Sequence, residues 1–262
     1  MASHVTNRVL GAGKLYIAEY VNGVLGGFRY FGDTPGFTIN ISADRVTDDT
    51  SDGPIAEEAM NILTKVTRAA SIIAKDVSLE NLALFVMGTA GTRTQAGTAV
   101  TDEAIDGVAV DRYYQLGQSS ANPVGVRQVS SVTVTDDQGS PTTFTEGTDY
   151  EIDLATGLLY VIAGGGITDG TSLRVSYTPS AGDIEEIASS DLGNAQVAIK
   201  YVANNTKGTN RDAYMALCDI APNGDLAWKS RDTVAQMTFD VSILKPTTGE
   251  EALYINGQAV AA

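Results

Sequence analysis

Apolar and polar positions alternate with a period of two along much of this chain, the pattern of half-buried strands. Phe37, Ile39 and Ile41 alternate with Thr38, Asn40 and Ser42, and Met237, Phe239, Val241 and Ile243 alternate with Thr238, Asp240 and Ser242. Val132 and Val134, and then Leu173, Val175 and Tyr177, repeat the pattern in the middle of the chain. A first strand is expected over 13–21, around Leu15 and Ile17, with a hairpin turn at Asn22-Gly23 and a return over 27–31. The run 61–75, rich in Ile, Val and Thr, reads as one long strand. Three more strands are expected over 197–201, 211–220 and 236–245, with turns at 204–210 and at Pro222-Asn223-Gly224-Asp225.

One segment breaks the period. Residues 78–87 read as a helix, with Ser78 as N-cap, Glu80 in the first turn and Gly88 closing the C-terminus. Leu79, Leu82, Ala83, Leu84, Phe85, Val86 and Met87 leave it almost no polar face. A helix apolar nearly all round has to be covered on more than one side. A thin β-sandwich covers one side only, so the other asks for a second cover such as another subunit. Leu79, Leu82, Phe85 and Val86 are the candidate residues for that intersubunit contact.

The stretch 44–60 carries Asp44, Asp48, Asp49, Asp52, Glu57 and Glu58 against Arg45, and is interrupted by Gly53-Pro54. It is expected to be an exposed, mobile loop joining strands 37–44 and 62–75 into a long hairpin. Residues 89–111, rich in Gly, Thr, Ala and Asp, read as loop with weak strand. From 124 to 179 the texture changes to short strands and tight turns, a compact β-module with its own turn chemistry. The expected organisation is a core over 1–120 and 180–262 with an inserted module, immunoglobulin-like or built of hairpins, over 121–179.

Composition narrows the function. The 262 residues can bury a real core. No apolar run is long enough for a membrane-spanning helix, and residues 1–10 lack the apolar segment of a secretory signal. Cys218 is the only cysteine and sits in an expected strand, where it reads as a small buried hydrophobe; His4 is the only histidine. These counts exclude Cys/His zinc sites, a Ser-His-Asp triad and histidine acid–base chemistry. The net charge of −15 opposes gripping nucleic acid, which needs lysine and arginine in excess. It suits solubility, and equally a surface past which nucleic acid slides.

Motifs for ligands fail on inspection. Gly11-Ala12-Gly13-Lys14 lacks the first glycine of a phosphate loop, because position 8 is Arg8, and Leu15 stands where Ser or Thr is needed. Asp48, Thr50, Asp52 and Gly53 fall as in a calcium loop, but the twelfth position is Ala59 instead of a bidentate Glu, leaving at most a weak surface cation site. Gly164-Gly165-Gly166 follows a strand with no helix after it and is a turn. No cofactor, metal or catalytic residue is assigned, and the chain is not expected to be an enzyme.

The order of parts resembles the major tail tube proteins of long-tailed bacteriophages. The resemblance is carried by Gly13-Lys14-Leu15-Tyr16-Ile17-Ala18 leading into Phe37-Thr38-Ile39-Asn40-Ile41, and by the long hairpin with its acidic tip. It continues in the strand-to-helix joint Lys75-Asp76-Val77-Ser78-Leu79-Glu80-Asn81-Leu82-Ala83-Leu84-Phe85, and in the closing hairpin Asp219-Ile220-Ala221-Pro222-Asn223-Gly224-Asp225-Leu226 with strand 236–245. It covers roughly residues 10–90 and 190–250. The module over 121–179 lies outside it.

The resemblance implies a mainly β fold, a sandwich or barrel with one flanking helix, whose copies form six-membered rings that stack into a tube. Inner strands would join around the ring; 24 strands at about 4.8 Å spacing and about 40° tilt give a backbone diameter of roughly 48 Å. Side chains would narrow the channel to roughly 35–40 Å, still wider than duplex DNA at about 20 Å. The resemblance further implies a virion protein made in the host cytoplasm. Its partners would be its own copies, a tape measure protein and tail tip or terminator proteins, with DNA passing unbound and no membrane involved. Asp48, Asp49, Asp52, Glu57 and Glu58 become candidate ring-stacking residues. Thr38, Asn40, Ser42 and Asp44, with Thr238, Asp240 and Ser242, become candidate channel lining, or else face bulk solvent; Lys65 and Lys75 argue against a uniformly negative wall. Two rival readings remain: another phage structural part, such as a capsid decoration or tail terminator protein, and a carbohydrate-binding or adhesin module.

Overall fold

The period-two alternation decides the first strand, whose Leu15 and Ile17 are buried while Lys14 and Glu19 are exposed. The computed structural model describes residues 8–189, 195–247 and 249–257, so the expectation about His4 lies outside the described residues. In chain order the elements are β1 Gly13–Val21, β2 Val24–Leu25, β3 Arg29–Tyr30, β4 Gly36–Asp49, β5 Glu58–Ala74, α1 Leu79–Phe85 and β6 Gly88–Gln95. There follow β7 Val100–Val108, β8 Arg112–Gln115, β9 Val129–Asp136, β10 Tyr150–Asp153, β11 Leu158–Val161, β12 Thr171–Pro179 and β13 Gly182–Ser189. The last four are β14 Ala195–Ala203, β15 Arg211–Pro222, β16 Met237–Leu244 and β17 Tyr254–Gly257. The fold is mainly β with a single described helix.

The chain divides into two units, Met1–Gly91 with Ile187–Ala262, and Thr92–Glu186. The first is built on a nine-stranded antiparallel sheet in the order β2-β1-β14-β15-β16-β5-β4, with β3 added to β1 and β17 to β15. Its core joins Leu15, Ile17, Phe31, Ile72, Val197, Ile199, Met215, Phe239 and Val241 to Leu84 of α1. Full burial of a large apolar side chain contributes about 1.5–3 kcal/mol, so the alternating row of β16 alone anchors that strand firmly. Asn22 and Gly23 both take positive φ (52° and 78°), the type I′ geometry that closes the β1–β2 hairpin between Val21 and Val24.

The second unit contains two three-stranded sheets, β7-β12-β9 and β10-β11-β8. Its own core includes Val108, Leu116, Val134, Leu159, Val161, Leu173 and Val175. The module expected over 121–179 lies inside this unit. The unit opens earlier, at Thr92, and takes in β7, which pairs with β12, and β8, which pairs with β11.

Four local expectations need correction. Residues 44–60 are not a loop throughout: β4 runs on to Asp49 and β5 starts at Glu58, with Asp48 opposite Met60. Charge did not prevent pairing there, because a two-stranded ribbon leaves acidic side chains in water on either face. Residues 89–111 are mostly strand, in β6 and β7, whose sparse apolar residues hid the alternation. The helix ends at Phe85 with Val86 as C-cap, and Met87, not Gly88, takes the left-handed conformation (φ 52°). Gly88 serves a close approach instead, since a Cβ there would meet the Ala188 carbonyl oxygen at 2.6 Å. Finally, β17 pairs with Arg211–Tyr214, a strand that the sequence pattern did not reveal.

Helix α1 is tied down by a polar residue. Asn81 is fully buried; its Oδ1 accepts from Arg29 NH1 (2.6 Å), and its Nδ2 donates to the carbonyls of Phe31 (2.9 Å) and Asp76 (3.0 Å). Replacing it strands one donor and two acceptors where water is scarce. Asn81→Ala should lower unfolding free energy by about 2–4 kcal/mol in urea titrations followed by circular dichroism. A loss under about 0.5 kcal/mol would show that water replaces these bonds. Cys218 is completely buried, and burial pushes its thiol up to about 12. Native protein at pH 8 should therefore resist a disulfide-exchange reagent on the timescale in which urea-unfolded protein reacts fully.

Candidate assembly interface

Residues directly opposite each other in adjacent strands share a sheet face, so register shows which side chains stand together. One row on the face away from the core runs Thr38–Ser71–Asp240–Ala221 across β4, β5, β16 and β15. The next runs Asn40–Ala69–Ser242–Asp219–Gln196 and reaches β14. The sequence-predicted lining residues Thr38, Asn40, Asp240 and Ser242 are thus brought to one face, with β5 between their strands. Thr238 stands on the same face, half-buried and opposite Ile73. Asp240 Oδ2 accepts from Asn223 Nδ2 at 2.8 Å. Asp219 belongs to this polar face and was missed, because the alternation of β15 is broken by Leu217; among the described residues its buried Oδ1 has no hydrogen-bond partner.

Ser42 and Asp44 lie farther out, opposite Thr67 and Lys65, where β4 and β5 have left β16 behind. Pairing of β16 with β5 covers Ala69–Ala74, whereas β4 follows β5 from Ile73 to Glu58. The distal two-stranded arm is exposed throughout: every residue of β4 from Ile41 on is exposed, as is β5 up to Thr67. Yet it is not polar throughout. The core-side face continues outward as Ile41, Val66 and Leu63, with Ile41 55% and Leu63 49% exposed. The opposite face carries Val46 paired with Ile62, and then Met60.

The acidic residues expected in a loop divide between the arm and its tip. Asp48, Asp49 and Glu58 are on the strands, and Asp52 and Glu57 are in the turn region. The Thr50 amide donates to the Glu57 carbonyl (2.8 Å), Asn61 Nδ2 to Glu58 Oε1 (2.6 Å), and Arg45 NH1 to Asn61 Oδ1 (2.9 Å). At the tip Ile55 is 77% exposed. Among the described residues no group of three or more His, Cys, Asp or Glu could hold a metal ion.

The four helix residues singled out for an intersubunit contact, Leu79, Leu82, Phe85 and Val86, are all half-buried. Leu82 and Phe85 pack on the main core, Phe85 with its ring at right angles to Phe239 (5.8 Å). The buried polar side of the helix belongs to Asn81, which the apolar reading of the segment passed over.

A second surface was not foreseen. On β1, β3, β14, β15 and β17 the face away from the core presents Lys14, Tyr16, Tyr30, Lys200, Tyr214 and Tyr254, aligned by register. Tyr16 lies on Tyr30 (5.8 Å), Tyr214 stacks on Tyr254 (6.2 Å), Phe28 meets Tyr214 edge-on (6.3 Å), and Lys14 Nζ sits 5.8 Å from the Tyr30 ring centre. A cavity of about 420 Å³ opens there between Phe28, Lys200, Asp212, Ala213, Tyr214 and Asn256. Burial, and then neighbouring Tyr20 and Glu250, raise the Tyr214 hydroxyl above its ordinary value. The signal for this face was the other half of the β1 alternation, in which Lys14 and Tyr16 interleave with Leu15 and Ile17.

The class of protein these features define is a mainly β chain of two units whose described surface includes sheet faces and an exposed two-stranded arm. Over residues 8–253 the chain matches the family described as Protein of unknown function UCP028589, and it belongs to that family. No curated protein matches it.

Proposed function

We propose that this protein is a structural subunit that associates with its own copies into stacked hexameric rings, forming the tail tube of a phage through which DNA passes. The observation that carries the reading is the arm. Ile41, Val66 and Leu63 prolong the core-facing stripe of β4 and β5 beyond the strands that could cover it. Apolar rows on both faces of a two-stranded ribbon are costly to leave in water, and burial against neighbouring copies removes that cost. Among the described residues no strand pairs with the outer edge of β4, fourteen residues long, which is likewise an open template for another strand. The polar face of Thr38, Asn40, Ser71, Asp240 and Ser242 offers small neutral and acidic groups, to which phosphate does not adhere. The reading assigns the protein no catalytic activity; its further partners are tape measure and tail tip or terminator proteins, and its place is the virion.

The test is to remove the apolar stripe without touching the core. Each of Ile41→Ser, Leu63→Ser and Val66→Ser should change subunit stability by no more than about 0.5 kcal/mol, because the side chains are exposed. The triple variant should stay a folded monomer under light scattering at concentrations where wild type gives hollow rings or tubes in negative-stain electron microscopy. Normal tubes from the triple variant, or a wild type that remains a monomer and binds glycan arrays, would overturn the proposal.

A further inference from the structure

The aromatic–lysine face, whose cavity also takes in Asp212, carries Lys14 and Lys200, and the tip of the arm carries the opposite charges of Asp52 and Glu57. Among the described residues neither Lys14 nor Lys200 forms an ion pair, although 32 acidic residues outnumber 17 basic ones. Both lysines lie beside aromatic rings: Lys14 by the exposed Tyr30, and Lys200 between the half-buried Tyr16 and Tyr214 in register. Phe28 and Lys200 line two cavities, of about 420 and 360 Å³, the second completed by Tyr16 and Val202. The tip supplies the opposite chemistry. Ile55, the most exposed large apolar side chain described, projects from a turn that carries Asp52 and Glu57, with Asp49 and Glu58 at its base.

Resting on the reading of self-assembly, we propose that the arm tip of one copy, residues 50–57, docks on the aromatic–lysine face of a second copy. Ile55 fills the cavity beside Phe28 and Tyr214, and Asp52 and Glu57 approach Lys200 and Lys14. The larger cavity, about 420 Å³, has room for an isoleucine side chain. Burial of apolar and aromatic surface holds the contact, and the opposed charges set its register and speed its formation. The contact is heterologous, because tip and face are different surfaces, so it propagates from copy to copy without closing on a pair.

A pair of charge reversals tests this. One variant carries Lys14→Glu with Lys200→Glu; the other carries Asp52→Lys with Glu57→Lys. All four side chains are solvent-facing, and unchanged melting curves for both variants confirm the fold. Each variant alone should associate at least tenfold more weakly than wild type in sedimentation velocity. An equimolar mixture should recover association, because every tip then meets a face of opposite charge on the other variant. Wild-type association should also weaken as salt rises from 50 to 500 mM. If either variant alone assembles like wild type, or if the mixture does no better than its parts, the docking is overturned while self-assembly stands, and another occupant covers the face. If wild type does not associate at any concentration tested, both readings fall.

Discussion

Strand β5 has neighbours on both edges over only part of its length, and much of the molecule follows from that. Between Ala69 and Ala74 it is held by β16 on one side and β4 on the other. Its alternate residues Ala70, Ile72 and Ala74 are buried there in the core of the first unit. From Thr67 outward it keeps β4 alone. The same two strands are therefore core at one end and an exposed ribbon at the other, with an apolar stripe crossing from one environment into the next. Hydrogen bonding within the ribbon satisfies one edge of each strand and gives its side chains no cover.

The sheet also separates chemistries along its outward face. Toward β4, β5 and β16 that face is small, polar and acidic. Toward β1, β14 and β15 it becomes aromatic and carries two lysines. The core side is mostly apolar, and its polar groups, such as Arg29 with the buried Asn81, belong to the packing of the helix. Under the proposed assembly, the first of these outward surfaces lets an anion pass and the second holds the acidic, apolar tip of another copy. In a chain of net charge −15 the placement of Lys14 and Lys200 on one aromatic face is the less expected of the two.

Most strands were legible from period-two alternation: 37–41, 211–220 and 236–245 fall within β4, β15 and around β16 as the pattern demands. The Asn22-Gly23 turn was legible because both residues tolerate positive φ. The helix was legible from its cap and apolar run, but its anchor, Asn81, was not. A lone asparagine in an apolar segment reveals its partners only when Arg29, Phe31 and Asp76 arrive from elsewhere in the chain. The continuation of β4 and β5 through the acidic stretch was hidden for a different reason: cross-strand pairing is a property of two segments, and each alone looked like loop.

By itself the sequence determined the apolar side of strands such as β1, β4 and β16, the mainly β character of the chain with a helix after residue 78, and that one cysteine and one histidine leave little scope for thiol, imidazole or zinc chemistry. These are local properties, written in residue type and spacing. Only the tertiary structure decided which strands neighbour which, and with that which polar faces merge. Thr38 and Asp240 are far apart in the chain and share a row because β5 inserts between their strands. Lys14, Lys200 and Tyr214 meet because β14 lies between β1 and β15. Register sets such juxtapositions through hydrogen bonds spanning nearly two hundred residues of sequence, and no window along the chain contains them.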